Sequence, residues 1–191
     1  MKRIQTIALA GAAALALGLG GVATAPSFAK EMTKMVGGAA MYPSKNIVQN
    51  AMHSKAHTTL VAAVKAAGLV KTLESPGPFT VFAPTNAAFK KLPEGTVKTL
   101  LKPENKDKLK SILTYHVVPG RLTAKDLMDK IKAGNGKAEI KTVEGDPLTF
   151  EMKGSTLWVI DEKGDKAKVT IANVMQSNGV IHVINKVMLP G

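Results

Sequence analysis

The chain has no cysteine, which excludes disulfides, a thiol nucleophile and a lipid-modified N-terminal cysteine. Aromatic residues are scarce, at 4%. With so few stacking groups and no recognised nucleic-acid motif, the positive charge of the chain does not point to a nucleic-acid partner. Acidic residues are also few: 14 Asp and Glu stand against 26 Lys and Arg, for a formal net charge of +12. There is no Gly-x-Ser-x-Gly elbow and no His-Glu-x-x-His pair, so the common hydrolase signatures are missing. The acidic turn Asp161–Asp165 is too short for a calcium loop and is interrupted by Lys163. We therefore expect a protein that is not an enzyme, with no catalytic residue, no metal and no cofactor. No internal repeat is visible, which points to one copy of one domain.

The first feature present is an export pattern. Lys2 and Arg3 form a short positive region, Ile7–Leu19 is an apolar run, and Ser27-Phe28-Ala29 offers small residues at a cleavage site. The apolar run is shorter than the ~20 residues of a spanning helix. The reading is a signal peptide over 1–29, cleaved after Ala29, with a secreted or periplasmic product that meets the membrane only during export. Removing 29 of 191 residues leaves 162, and losing Lys2 and Arg3 lowers the net charge from +12 to +10. Residues 30–42, rich in Gly, Ala and Met, read as a flexible arm. Residues 43–191 form the domain, expected to be a monomer.

Within that domain the first half has helical spacing. Ser44 and Thr58 are candidate caps for helices carrying Ile47, Val48 and Ala51, then Leu60, Val61 and Val64. Phe79–Ala83 is a short strand handed by Pro84 to a helix capped by Thr85 or Asn86. Lys106–Leu113 is a helix with Leu109, Ile112 and Leu113 inward, and Tyr115–Val118 reads as a strand. Thr123 and Asp126 have capping-box spacing for the next helix. From Ala138 onward the period becomes two, through Leu148, Phe150 and Met152, then Trp158, then Lys168–Val174. The last strand, Val180–Val187, is apolar on both faces and should be buried on both. Helices first and antiparallel pairs later argue an α+β fold.

Three runs in this order carry a resemblance: Phe79-Thr80-Val81-Phe82-Ala83-Pro84-Thr85-Asn86, then Tyr115-His116-Val117-Val118-Pro119-Gly120, then Asn178-Gly179-Val180-Ile181-His182-Val183-Ile184. The chain resembles the fasciclin (FAS1) domain family over Met41–Pro190, in its single-domain secreted bacterial type. The resemblance implies a fasciclin-like wedge of two β-sheets, about seven strands in total, with several packed helices. It also implies a binding module for cell adhesion or cell-surface and matrix interaction. The expected partner is a cell-surface or matrix protein or an anionic polysaccharide.

Candidate sites follow from both sources. Tyr115 and His116 stand in the run linked to cell attachment in animal relatives; on a regular strand they would face opposite ways, so one should be core. Asn173 and Val174 occupy the place of an Asp-Ile pair in those relatives, so the carboxylate that could meet a partner's metal ion is absent here. Asn185 likewise replaces a frequent Asp. His182 should be a buried, hydrogen-bonded residue with a backbone carbonyl or hydroxyl partner. His53 and His57, four apart, have metal-ligand spacing, but a helix boundary between them opposes that reading. Lys106, Lys108 and Lys110 are a candidate surface for an anionic partner. The alternative function is an envelope carrier of a small apolar ligand or lipid, in a groove lined by Met128, Met152, Met175 and Met188.

Overall fold

The computed structural model describes residues 33–191; the expected signal peptide, 1–29, lies outside them. The chain runs β1 (Lys34–Val36), β2 (Ala39–Met41), α1 (Ile47–Ala51), α2 (Thr58–Ala66), α3 (Val70–Glu74), β3 (Phe79–Pro84), α4 (Asn86–Phe89) and α5 (Thr96–Leu100). It continues α6 (Lys106–Tyr115), β4 (Val117–Pro119), α7 (Ala124–Ala133), β5 (Lys137–Lys141), β6 (Pro147–Lys153), β7 (Thr156–Ile160), β8 (Lys166–Gln176) and β9 (Gly179–Ile184). This is the mixed α+β order expected from the change of period.

Seven strands form one connected sheet in the order β4-β3-β9-β8-β7-β6-β5. All neighbours are antiparallel except β3 and β9, which pair in parallel from Phe79 with Gly179 to Pro84 with Ile184. The two halves of the wedge are joined through β8. Its first residues pair with β7 and its remainder pairs with β9. Two register shifts, between Val169 and Ile171 and between Ile171 and Val174, mark the bend. Bulges of this kind kink a strand and re-aim its side chains. Here Ala167 and Val169 pack on one side, and Val174 on the other. The sheet also curls back on itself: Val143 N–H donates to Val117 O at 2.7 Å, linking the end of β5 to β4.

The core has two parts, one on each face of β3 and β9. Val81, Ala83, Ile181 and Val183 face the layer built from α1 to α6. Phe82 and Ile184 face the interior of the wedge, with Leu127 and Ile131 of α7, Phe150 of β6 and Val159 of β7. Period-two alternation thus supplies both faces at once. Every residue of β9 is buried, and each buried Val or Ile there contributes about 1.5–3 kcal/mol.

Caps depart from the expectation at two helices. The cap of α1 is Asn46, not Ser44: its side chain accepts from Gln49 N–H at 2.8 Å while the Gln49 amide oxygen accepts from Asn46 N–H at 3.0 Å. The start of α2 is capped from another element, where Asn86 Oδ1 accepts from Thr59 N–H at 3.0 Å. Thr123 and Asp126 do form the expected box on α7. Residues 34–41 also differ from the expectation of a flexible arm. They form a two-stranded hairpin with Val36 and Met41 buried. Its strands, only three residues each, are held by tertiary packing rather than by local propensity.

Asn178 and Gly179 join β8 to β9, but not through positive φ. A Cβ at Gly179 would collide with the Phe79 carbonyl, so the parallel pairing itself demands glycine. Asn178 is buried and ties three elements. Its Oδ1 accepts from Ile47 N–H at 3.0 Å, and its Nδ2 donates to Leu73 O at 2.8 Å and Ser75 O at 2.9 Å. Asn178→Ala should lose about 3 kcal/mol of stability, because buried backbone groups at the ends of α1 and α3 lose their partner. Urea denaturation measures this, and a loss well under 1 kcal/mol contradicts the assignment.

Candidate functional site

Tyr115 and His116 are not on a strand. α6 runs through Tyr115, and His116 is its C-terminal cap with helical φ −84° and ψ 0°. Successive helical side chains diverge by roughly 100° rather than 180°, so both can turn inward. Tyr115 is 0% and His116 2% exposed; both are core, where one was expected. The Tyr115 hydroxyl donates to Pro147 O at 2.9 Å and accepts from Glu162 N–H at 3.3 Å. Burial, with smaller contributions from nearby carboxylates, pushes its pKa up to about 12.

The two motif histidines make the same kind of bond in opposite senses. His116 Nδ1 lies 2.7 Å from Ile112 O and its Nε2 accepts from Met188 N–H at 3.0 Å. His182 Nε2 lies 2.9 Å from Leu122 O and its Nδ1 accepts from Asn173 N–H at 3.3 Å. These partners assign a proton to Nδ1 of His116 and to Nε2 of His182. Each neutral imidazole therefore has one donor and one acceptor satisfied by backbone. His182 also stacks on Phe82, with ring centroids 5.5 Å apart. Burial lowers both pKa values to about 4. A carbonyl partner for buried His182 is as expected.

Asn173 sits at the bend of β8 with φ 56°, a left-handed conformation that Asn tolerates better than most residues. Its Oδ1 accepts from Ala124 N–H at 2.7 Å, at the start of α7. Val174 is 1% exposed. This pair is thus a bend and a helix cap, not a free surface epitope. Asn185 is also engaged, accepting from Lys168 N–H at 2.8 Å. α1 ends before His53, which is exposed, whereas His57 is buried with Nδ1 2.9 Å from Ser54 Oγ. The two do not share a face. Burial lowers the pKa of His57.

Lys106, Lys108 and Lys110 are all exposed on α6, but they do not act as one patch. Residues two apart on a helix point about 200° apart, while residues four apart are neighbours. Lys108 lines an open cleft of about 570 Å³ with Thr96, Thr99, Asn105, Ser111 and Lys163. Lys106 lies on the other side of α6, over Gly68 at the end of α2. A second, apolar cavity of about 60 Å³ lies between α1, α2, α3, β3 and α6, and Lys65 reaches its wall. None of the four methionines proposed for a carrier groove lines it. Met188 is buried in the interior of the wedge instead, and Met152 packs against the same core.

The residues missed from sequence are Lys65, Lys163 and the polar side chains of the cleft. One signal was available: Lys65 is the only charged residue in α2. In the cleft only Lys108 stood out in the sequence, because the other lining residues come from separate elements.

Comparison with known proteins gives a consistent result. The Fasciclin domain model matches residues 55–190. Protein sll1483 of Synechocystis sp. is 47% identical over 186 residues, covering 97% of this chain and 96% of that protein. Immunogenic protein MPB70 of Mycobacterium bovis is 36% identical, over 70% of this chain and 63% of its own length. Transforming growth factor-beta-induced protein ig-h3 of Sus scrofa is 40% identical over 69% of this chain, which spans only 17% of that protein. The solved FAS1 domain pair of the insect cell adhesion molecule Fasciclin I superposes with a TM-score of 0.68 at 21% identity, covering 76% of this chain and 51% of that one. That likeness bears on fold alone.

The buried histidines carry a pH prediction. Their folded pKa values, about 4, lie below the unfolded value near 6.5. The unfolded chain thus binds more protons in this window. The stability they contribute is complete above pH 6.5 and is lost as pH falls from 6.5 to 4. Each contributes roughly 3 kcal/mol across it. Urea midpoints measured from pH 7 to pH 4 should fall steeply in wild type. His182→Gln, less stable at pH 7, should show a shallower slope. A midpoint independent of pH over this window contradicts the buried neutral assignment.

Proposed function

The chain belongs to the fasciclin domain family, and from that premise we propose that it is a non-catalytic, extracytoplasmic binding module for an anionic surface polysaccharide or matrix partner. The observation that carries this reading is the cleft bounded by α5, α6, the turn at Lys163 and residues 189–191. It combines the ammonium groups of Lys108 and Lys163 with the hydroxyl and amide groups of Thr96, Thr99, Ser111 and Asn105. Such a set suits sulfated or carboxylated sugars: the amines attract the charge, and the neutral donors and acceptors replace water around the sugar hydroxyls. Glu94 is the acidic side chain in the lining. The net charge of the exported part adds a long-range attraction. The export pattern of residues 1–29 agrees with an extracytoplasmic location. Among the described residues no helix is long and apolar enough to cross a membrane.

The route to adhesion differs from an exposed Tyr-His or Asn-Val epitope, because Tyr115, His116 and Val174 are interior. A second reading is favoured by one observation, the apolar cavity beneath α1 and α2: the domain carries a small apolar ligand there.

The test is binding of the purified protein to dextran sulfate, with neutral dextran as control. Lys108→Glu with Lys163→Glu should weaken binding at least tenfold. Lys137→Glu with Lys141→Glu, on exposed positions of β5, makes the same charge change and should cost under threefold. Affinity should fall with added salt. Equal losses in the two pairs reduce the effect to net charge and contradict a defined cleft.

A further inference from the structure

We propose that the apolar cavity seats the end of a single-chain amphiphile whose anionic head is held by Lys65, Lys106 and Lys110. This rests on the carrier reading of that cavity and names its ligand class. The walls include Ile47 of α1, Leu60 and Val64 of α2, Leu73 of α3, Val81 of β3 and Leu113 of α6. A space lined this way has nothing to hold ordered water, and such cavities stay dry or take apolar groups. Its volume of about 60 Å³ is roughly two water volumes. That admits the end of one alkyl chain and not the paired chains of a bilayer lipid.

The mouth is marked by Val143, 44% exposed, and by Thr114 and Lys65. Lys65 lays its stem along apolar wall while its ammonium stays in water, as long cationic side chains do. Three residues on, at Gly68, the chain lacks a side chain, and Lys106 fills the place: its Cε and Nζ lie 3.8 Å from where a Cβ would stand. Lys110 is one turn further along α6, and its carbonyl accepts from the Thr114 hydroxyl at 2.8 Å. Lys65 at the cavity lining, Lys106 over Gly68 and Lys110 one turn along the exposed side of α6 thus bring three lysines to the α2–α6 side of the cavity.

Among the described residues no carboxylate pairs with these three amines within 4.0 Å. α2 contains no acidic residue. Asp107 is the one acid of α6 and turns about 100° from Lys106. Glu144, beside Val143, is occupied by Ser111 Oγ at 3.1 Å and Asp146 N–H at 3.2 Å. Glu74 ends α3, next to the cavity wall at Leu73. Among the described residues the ion pairs within 4.0 Å are those of Lys102, Lys125, Lys166 and Lys186, and none includes Lys65, Lys106 or Lys110. Like charges four apart on a helix repel, and a carboxylate or sulfate head on the seam relieves that repulsion. Apolar end and cationic rim together match a fatty carboxylate or alkyl sulfate.

Calorimetric titration at low salt and pH 8, with decanoate, decanol and acetate each below any aggregation threshold, tests this on the purified protein. Decanoate should bind at least tenfold tighter than decanol, and acetate should not bind. The triple variant Lys65→Gln, Lys106→Gln, Lys110→Gln should lose that tenfold preference, binding decanoate and decanol alike. Ala51→Phe should abolish binding of both, with Val61→Phe as a second filling variant if the first lowers the melting temperature. Equal affinity of wild type for decanoate and decanol overturns the anionic head and leaves the carrier reading standing. Binding of neither overturns both. Decanoate binding that survives both filling variants places the ligand on the lysines alone and overturns the seated tail.

Discussion

The parallel pairing of β3 with β9 is the constraint from which the rest follows. It joins Phe79 to Gly179, so the sheet centre closes only when segments one hundred positions apart meet. Closing so long a loop costs entropy that local contacts do not repay. What repays it is burial on both faces of these two strands. One face supports the layer of α1 to α6, and the other fills the wedge with α7 and the antiparallel strands. The glycine at 179 and the asparagine at 178 serve this junction directly, the first by allowing close approach and the second by finishing two helix ends.

The motif residues take their meaning from that junction. His182 lies on β9 and reaches the Leu122 carbonyl and the Asn173 amide. His116 closes α6 and reaches the Met188 amide beyond β9. Two imidazoles with opposite tautomers thus tie the central strand region to the loop before α7, to the bend of β8 and to the C-terminal segment. Burial makes the charged form costly at both places, and each hydrogen bond needs the neutral form. A surface epitope built from Tyr115 and His116 would have to dismantle this interior. The surfaces we propose for partners are instead the cleft around Lys108 and the seam around Lys65.

Much of this architecture was legible in the residues, because its signals are local. Period-two stretches marked β6 to β9, and the Thr123–Asp126 spacing marked the start of α7. The apolar character of Val180–Val187 announced a strand buried on both faces, although β9 spans Gly179–Ile184 and stops before Asn185. Three features were not legible. The hairpin at 34–41 has weak intrinsic preference and is made by packing. Tyr-His-Val-Val has strand-like composition, yet α6 carries through Tyr115, where tertiary context overrides propensity. Both concave sites draw side chains from several elements distant in sequence, so Lys65, Lys163 and Asn105 look like ordinary surface residues until the chain is folded. The lysine trio on α6 shows the same limit: its members share a helix but serve two different faces.

The central claim is that the motif histidines are neutral interior ties. Two-dimensional ¹⁵N–¹H NMR of the imidazole nitrogens at pH 7 tests it most directly. The account predicts two slowly exchanging ring N–H signals, one on Nδ1 of His116 and one on Nε2 of His182, both unchanged down to pH 5. Titration of either ring near pH 6.5, with averaged tautomers, contradicts it.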